Sequence, residues 1–169
     1  MGASAALACR DTSLSYACLL PAAPFEDAVD CPAKPEDTSF MAEALRLAAR
    51  IPRRPWPNPP VGALVVRDHQ VVGRGAHHGA GADHAEVIAL REAGPRALGA
   101  TLYCTLEPCN HHGRTPPCAP LVASSGITRL VVGVADPNPA VCGGGLARVR
   151  EAGVEVHSGV MRELSLIHI

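Results

Sequence analysis

Two short stretches hold the residues that could do chemistry. In "DHAEV", His84 is followed two residues later by Glu86, at the start of an apolar-periodic run. In "EPCNHHGRTPPC", Cys109 and Cys118 stand with eight residues between them, a wider gap than the roughly two to four of a zinc ribbon. That spacing leaves three readings open: a metal site with an inserted loop, a disulfide, or two unrelated thiols. A lone H-x-E is also weak, because a first-turn histidine beside a dipole-favoured acid has the same pattern. Taken together the residues say more. One histidine and two cysteines make three zinc donors, and three protein ligands with a fourth position left open mark a catalytic site; a structural site would be closed with four. Zinc in such a site makes water acidic enough to provide hydroxide near neutral pH. Glu86 is too close to His84 in sequence to be a convenient fourth ligand. It is suited instead to carry a proton between that water and a leaving group.

Composition narrows the class. The chain has 169 residues, 47% of them apolar, which suits one domain with a real core. Its formal net charge is −1 and only 3% of residues are aromatic, so neither a basic nucleic-acid surface nor a base-stacking platform is expected. No apolar run approaches the roughly 18 residues of a membrane span. Cysteines occur at seven positions, 9, 18, 31, 104, 109, 118 and 142. An odd count without a secretion signal argues against a disulfide framework. The start, "MGASAALACR", lacks a basic leader region and its apolar stretch is broken by Arg10. A reducing, cytoplasmic setting follows, with thiols free for metal.

The elements that must position these residues can be read from periodicity. Residues 1–37, rich in Pro, Ala and acids without a clear period, read as a poorly ordered extension. "DTSFMAEALRLAARI" has apolar residues at 41, 44, 45, 48 and 51, which predicts a helix capped by Thr38 or Ser39 and stopped before Pro52. "IPRRPWPNPP" is a proline-rich loop, and "VGALVVRDHQVVGRG" two strands joined by a short polar turn. "HAEVIALREAG" predicts a helix ending near Gly94, "ATLYCTL" a buried strand, "CAPLVASSG" a short helix, "ITRLVVGVA" a strand, "GGLARVREAG" a helix and "VEVHSGV" a last short strand. This order predicts an α/β fold: a three-layer α/β/α sandwich on a mixed sheet of about five strands. Each donor then falls at a strand-to-helix junction, the edge where α/β sheets build sites. Helix N-termini there also favour thiolate over thiol.

The stretches "PNPPVGALVV", "GRGAHHGAGADHAEVIALREAG", "GATLYCTLEPCNHHGRTPPC" and "VVGVADPNPAVCGGGLARVREAGVEV" resemble the zinc nucleobase deaminases of the cytidine deaminase-like superfamily. Within it they look like the deaminase domain of the bacterial bifunctional riboflavin biosynthesis proteins. The resemblance runs from about Phe40 to Met161 and frames a zinc-dependent deaminase domain at 38–161. Most cytidine-type deaminases place their cysteines two residues apart, whereas this group separates them by eight, as here. The resemblance implies that His84, Cys109 and Cys118 bind zinc and that Glu86 is the proton shuttle. It implies substrate contacts for Asn58, His77, Asp136 and Asn138, and ribose-phosphate contacts for His111, Arg114 and Thr115 in the inserted loop. Taken alone, several of these have plainer readings: Asn58, Asp136 and Asn138 as turn residues among prolines, His77 as a loop histidine, and the loop residues as a solvated surface. Cys104 and Cys142 are expected to pack as small apolar residues.

The implied reaction is hydrolytic deamination of 2,5-diamino-6-ribosylamino-4(3H)-pyrimidinone 5′-phosphate, releasing ammonia and the 5-amino-uracil ribotide. The expected partner is thus a small phosphorylated pyrimidine ribotide, with no nucleic acid and no membrane. Oligomeric state stays open, although homo-oligomers formed through helices are common in the superfamily. The rival readings are a deaminase of another base or nucleoside, and an inactive, zinc-stabilised module. Three departures stand out. Residues 1–37 precede the family's usual start, Gly144 replaces a usual basic residue, and the 162–169 tail "RELSLIHI" diverges. Most bacterial members also continue into a reductase domain of about 200 residues, a full domain length. The expectation is a truncated bifunctional enzyme or a stand-alone deaminase, without the G-x-G-x-x-G turn of a dinucleotide site.

Overall fold

A computed structural model describes residues 32–52, 57–138 and 143–167. Five strands form one mixed sheet: β1 (Gly62–Arg67), β2 (Gln70–Ala76), β3 (Thr101–Leu106), β4 (Arg129–Val134) and β5 (Glu155–Ser158). Their order is β2-β1-β3-β4-β5, with β1 antiparallel to both neighbours and β3, β4 and β5 mutually parallel. The helices are α1 (Asp37–Ala49), α2 (Ala85–Ala93), α3 (Cys118–Ser124), α4 (Gly144–Glu151) and α5 (Arg162–Ile167). The β1–β2 hairpin turns through Asp68 and His69, both at positive φ, which matches the right-handed twist of the strands it joins. A 3₁₀ turn at Gly94–Ala97 and the helix α5 are additions to the expected elements.

Side-chain alternation along the central strands produces two cores. Ala63, Val65, Leu102, Cys104, Leu130 and Val132 face one side, where α2, α3 and α4 contribute Ala89, Val122 and Leu146. Leu64, Val66, Tyr103 and Val131 face the other, covered by Met41, Ala44 and Leu45 of α1. This is the predicted three-layer α/β/α arrangement. Cys104, fully buried, packs in the first core as expected, while Cys142 lies outside the described residues.

The start of α1 corrects the sequence reading. Neither Thr38 nor Ser39 caps it; both lie inside the first turn, and the N-cap is Glu36 without a side-chain bond. Asp37 sets the boundary. Its carboxylate accepts the Lys34 N–H at 2.7 Å, the Tyr103 hydroxyl at 2.9 Å, and both Arg129 Nη atoms at 2.7 and 2.9 Å. Asp37 and Arg129 are 1% and 3% exposed at their side chains. Residues 1–31 of the expected extension lie outside the described residues, but its last residue, Asp37, belongs to the core. At the other end, α5 packs on β4, with Ser165 buried against Gly133.

Burial works against the Asp37 carboxylate, and the Arg129, Lys34 and Tyr103 bonds together hold its pKa below the ordinary value. Arg129→Met leaves that charge buried and unpaired, and should destabilise the fold by about 3–5 kcal/mol in chemical denaturation. A group with a lowered folded-state pKa stabilises above its unfolded value and stops doing so as pH falls through the lowered one. The gap between parent and variant should therefore shrink on acidification. A loss below about 1 kcal/mol at neutral pH, the range of exposed pairs, would show the bridge to be dispensable.

Candidate active site

Pairing directions put the C-terminal ends of β2, β3 and β4 on one sheet edge, together with the N-terminal end of β1. The segments leaving that edge carry the chemistry. Beyond β2, the chain runs through His77 to α2, whose N-cap is His84 and whose first turn holds Glu86. A Cβ on Gly73 or Gly75 would run into the Ala89 or Ala85 carbonyl, so these glycines let α2 lie directly on β2. That close approach aims the start of α2 at the sheet edge. Beyond β3 come Glu107, Pro108 and Cys109, then the inserted loop, and Cys118 opens α3.

The donor atoms of His84, Cys109 and Cys118 lie within 4.8 Å of one another. His84 Nδ1 faces both sulfurs, 3.5 Å from Cys109 Sγ and 3.0 Å from Cys118 Sγ. Tetrahedral zinc with N and S donors at about 2.0–2.3 Å sets such a pair about 3.6 Å apart. One nitrogen and two sulfurs fit it in chemistry, the Cys109 pair matches that spacing, and the Cys118 pair is closer. The Cys118 N–H donates to Cys109 Sγ at 3.3 Å, and the Ala119 N–H to the Cys109 carbonyl at 3.0 Å. The start of α3 therefore clasps the Cys109 thiolate. Hydrogen bonding from Cys118 and then His84 holds the Cys109 thiol down, to about 4, against burial. Cys118 carries the shared proton and is pushed up. Among the described residues, Cys104, Cys109 and Cys118 are free thiols, so the disulfide reading does not describe this pair.

Glu86 lines the cleft from the wall beside these donors, only 3% exposed. Burial pushes its carboxyl up to about 7, against the lowering by its own backbone N–H and by His84. The Cys104 thiol beside it is raised, by burial first and by the Glu86 charge next, and stays protonated.

The cleft has a volume of about 300 Å³. Asn58 and His77 line it from the β1 side. His77 is buried, and its ring is bonded at both nitrogens, to the Asp83 carbonyl at 3.1 Å and to Asn58 Nδ2 at 2.9 Å. Since Nδ1–H donates to the carbonyl and Nε2 accepts from the amide, this ring is neutral, and burial lowers its pKa accordingly. The plain reading of His77 as an exposed loop histidine does not hold. His111, Arg114 and Thr115 also line the cleft, the first two exposed. Asp136 reaches the cleft, whereas Asn138 is not among its lining residues; the Asn138 N–H donates to Asp136 Oδ1 at 2.9 Å in a turn.

One residue escaped the sequence reading. Glu107 is 3% exposed, and its carboxylate accepts four backbone N–H groups: Asp136 and Gly143 on Oε2, Gly145 and Leu146 on Oε1, at 2.9–3.2 Å. It caps the start of α4 and ties the Asp136 turn to the strand end that carries Cys109. The available signal was an acid directly after a largely buried strand, facing a Gly-rich run able to present bare N–H groups.

Comparison with known proteins agrees with this geometry. Residues 34–134 match the family model described as the cytidine and deoxycytidylate deaminase zinc-binding region. The chain is 52% identical over 126 residues to the riboflavin biosynthesis protein RibD of Escherichia coli, covering 75% of this chain and 34% of that one. It is 42% identical over 130 residues to the diaminohydroxyphosphoribosylamino-pyrimidine deaminase of Buchnera aphidicola, covering 77% and 88%. The solved Acinetobacter baumannii RibD superposes with a TM-score of 0.77 at 46% identity, over 79% of this chain and 37% of that one. The chain thus spans about a third of the length of the RibD relatives, and most of the length of the Buchnera deaminase. The chain belongs to the zinc-binding cytidine and deoxycytidylate deaminase family, in the group that includes the Buchnera diaminohydroxyphosphoribosylamino-pyrimidine deaminase.

Proposed function

We propose that this chain deaminates 2,5-diamino-6-ribosylamino-4(3H)-pyrimidinone 5′-phosphate at its 2-amino group. Water supplies the oxygen, the C–N bond breaks, and ammonia leaves. The observation that carries the reading is the meeting of a His-Cys-Cys donor set, a buried carboxyl and a loop bearing Arg114 and His111 at one cleft. The name of the Buchnera relative supports the substrate, and the family supports zinc. His84, Cys109 and Cys118 would hold the ion. Zinc bound there supplies Lewis acidity, which makes water nucleophilic near neutral pH.

The remaining work falls to the chain's own side chains. Glu86, with a carboxyl pKa near 7, can take a proton from the attacking water and deliver it to the departing nitrogen. Its burial keeps bulk water from competing for that proton. Asn58 spends its amide N–H on His77, which leaves its carbonyl oxygen to accept from the amino-pyrimidine. Asp136 and Asn138, joined in one turn, border the ring, with Asp136 on the cleft side. Arg114 and His111 face the 5′-phosphate, for which a guanidinium fork is well matched. The three cysteines among the described residues are free thiols, two of them serving the metal, which suits a reducing compartment such as the cytoplasm. Among the described residues no helix is long and apolar enough to cross a membrane.

The purified chain should bind about one zinc, as a three-donor site requires. Cys109→Ala should lower zinc content and thermal stability together; full occupancy in that variant would remove Cys109 from the ligand set. Glu86→Gln should keep its zinc and its fold while turnover drops at least about 10²-fold, the range for lost acid–base catalysis. Near-parental turnover would show that another group moves the proton. For the phosphate, kcat/KM is compared for parent and Arg114→Ala, each with the ribotide and with its dephosphorylated nucleoside. A hydrogen bond to a charged group contributes about 1.5–3 kcal/mol, so the ribotide should weaken by roughly 10- to 150-fold and the nucleoside hardly at all. Equal losses on both substrates would mean that Arg114 shapes the loop and does not read the phosphate.

A further inference from the structure

A metal-binding imidazole has two nitrogens, and whatever holds the second one decides which tautomer and which ring orientation the metal meets. His84 directs Nδ1 at the two sulfurs, and its Nε2 lies 3.2 Å from Thr115 Oγ1. Thr115 comes from the middle of the inserted loop, 31 residues along the chain. It is half-buried in a stretch whose neighbours Arg114 and Pro116 are exposed, so this side chain is the one the loop turns inward. The His84 ring has one further restraint. His77 meets it edge-on, with centroids 5.0 Å apart and planes at 79°. That contact packs against the ring without selecting a tautomer. The Thr115 hydroxyl can donate or accept at Nε2; with Nδ1 turned to the two sulfurs as the metal-facing lone pair, the proton sits on Nε2 and the hydroxyl accepts it.

We propose that Thr115 is a positioning residue for the metal: in the Nδ1-donor tautomer its Oγ1 accepts the His84 Nε2–H, holds the ring in its metal-facing orientation, and thereby fastens the inserted loop to the ion's histidine. The inference rests on the reading that His84, Cys109 and Cys118 hold zinc. It adds to the expectation that Thr115 serves the substrate's ribose-phosphate, because a hydroxyl that accepts from Nε2–H keeps its own O–H to donate to a ligand. The wide spacing of the cysteines then has a second use. A loop of about two residues could not carry a side chain back over the histidine, whereas eight residues can both present Arg114 outward and return Thr115 inward.

The test is a zinc titration of the purified full chain against a chromophoric chelator, for the parent, Thr115→Val and Thr115→Ser. Valine keeps the branched shape and loses the hydroxyl. Removal of an outer partner of this kind typically weakens metal binding by about 10- to 100-fold, which is the loss expected for Thr115→Val. Thr115→Ser should regain most of it, and the metal-free melting temperature should stay at the parental value in both. In the zinc-loaded parent, ¹⁵N shifts of the His84 ring should report a protonated Nε2 and a metal-bound Nδ1. Equal zinc Kd for parent and Thr115→Val, a serine variant as weak as the valine one, or a proton on Nδ1 would each overturn the proposal. If Thr115→Val does not fold, the ring shifts of the parent and the Kd of Thr115→Ser decide. A parent chain that binds no zinc would overturn the metal reading and this inference with it. Zinc bound equally well by parent and valine variant would overturn this inference alone.

Discussion

The buried carboxylate of Glu107 is the interaction on which the active-site edge depends. A charge removed from water is tolerated only where hydrogen bonds replace its solvation. Glu107 meets that demand with four backbone N–H groups drawn from a stretch 29–39 residues away. Those N–H groups are at the start of α4 and in the turn after β4, where helix geometry leaves donors without partners. One side chain therefore satisfies two needs: its own charge and the open end of a helix. Because Glu107 is two residues from Cys109, the same bonds set the distance between the Cys109 sulfur and the Asp136 wall of the cleft. The glycines complete the arrangement, since a Cβ on Gly145 would run into the Pro108 carbonyl.

The two edges of the sheet are built differently. At the N-terminal ends of β3 and β4, Asp37, Tyr103 and Arg129 form a saturated ionic cluster that locks α1 to the sheet. Its polar atoms face one another, and it supports the scaffold. At the opposite edge the polar groups converge on a cleft and remain available to a ligand: the Asn58 carbonyl, the Glu86 carboxyl, the Cys109 sulfur. A carboxyl with a pKa near 7 and a thiol with one near 4 stand on the same cleft, one raised by burial, the other lowered by hydrogen bonds. Perturbed groups of this kind cluster at functional sites.

The histidines show the same economy. His77 and His84 lie edge to face, seven positions apart in sequence, and every ring nitrogen has a partner. His77 is kept neutral by an amide on one side and a carbonyl on the other. His84 is oriented between two sulfurs and a hydroxyl. The loop between the cysteines belongs to this network through Thr115, so it reaches the His84 ring as well as forming a wall of the cleft.

Sequence alone determined most of the architecture and the donor set. Alternating and helical periodicities placed the five strands and α1 to α4, because one buried face per element leaves a clear pattern. His84, Glu86, Cys109 and Cys118 were legible because each is a reactive type at a strand-to-helix junction. Tertiary structure decided the rest, for reasons of distance along the chain. Asp37 belongs to the core because Arg129, 92 residues away, lies over it, and this moved the helix start from Thr38 or Ser39. Short α5 carries too little periodicity to read, and its place comes from packing on β4. Glu107 looked like any acid beside a proline until four distant N–H groups converged on it. His77 resembled a surface histidine until Asn58 and the Asp83 carbonyl enclosed it. Thr115, which the resemblance gives to the substrate, also lies on His84, a contact across 31 residues that no local pattern encodes. Local periodicity records which face of an element is buried; it holds no record of which remote partner completes a hydrogen bond.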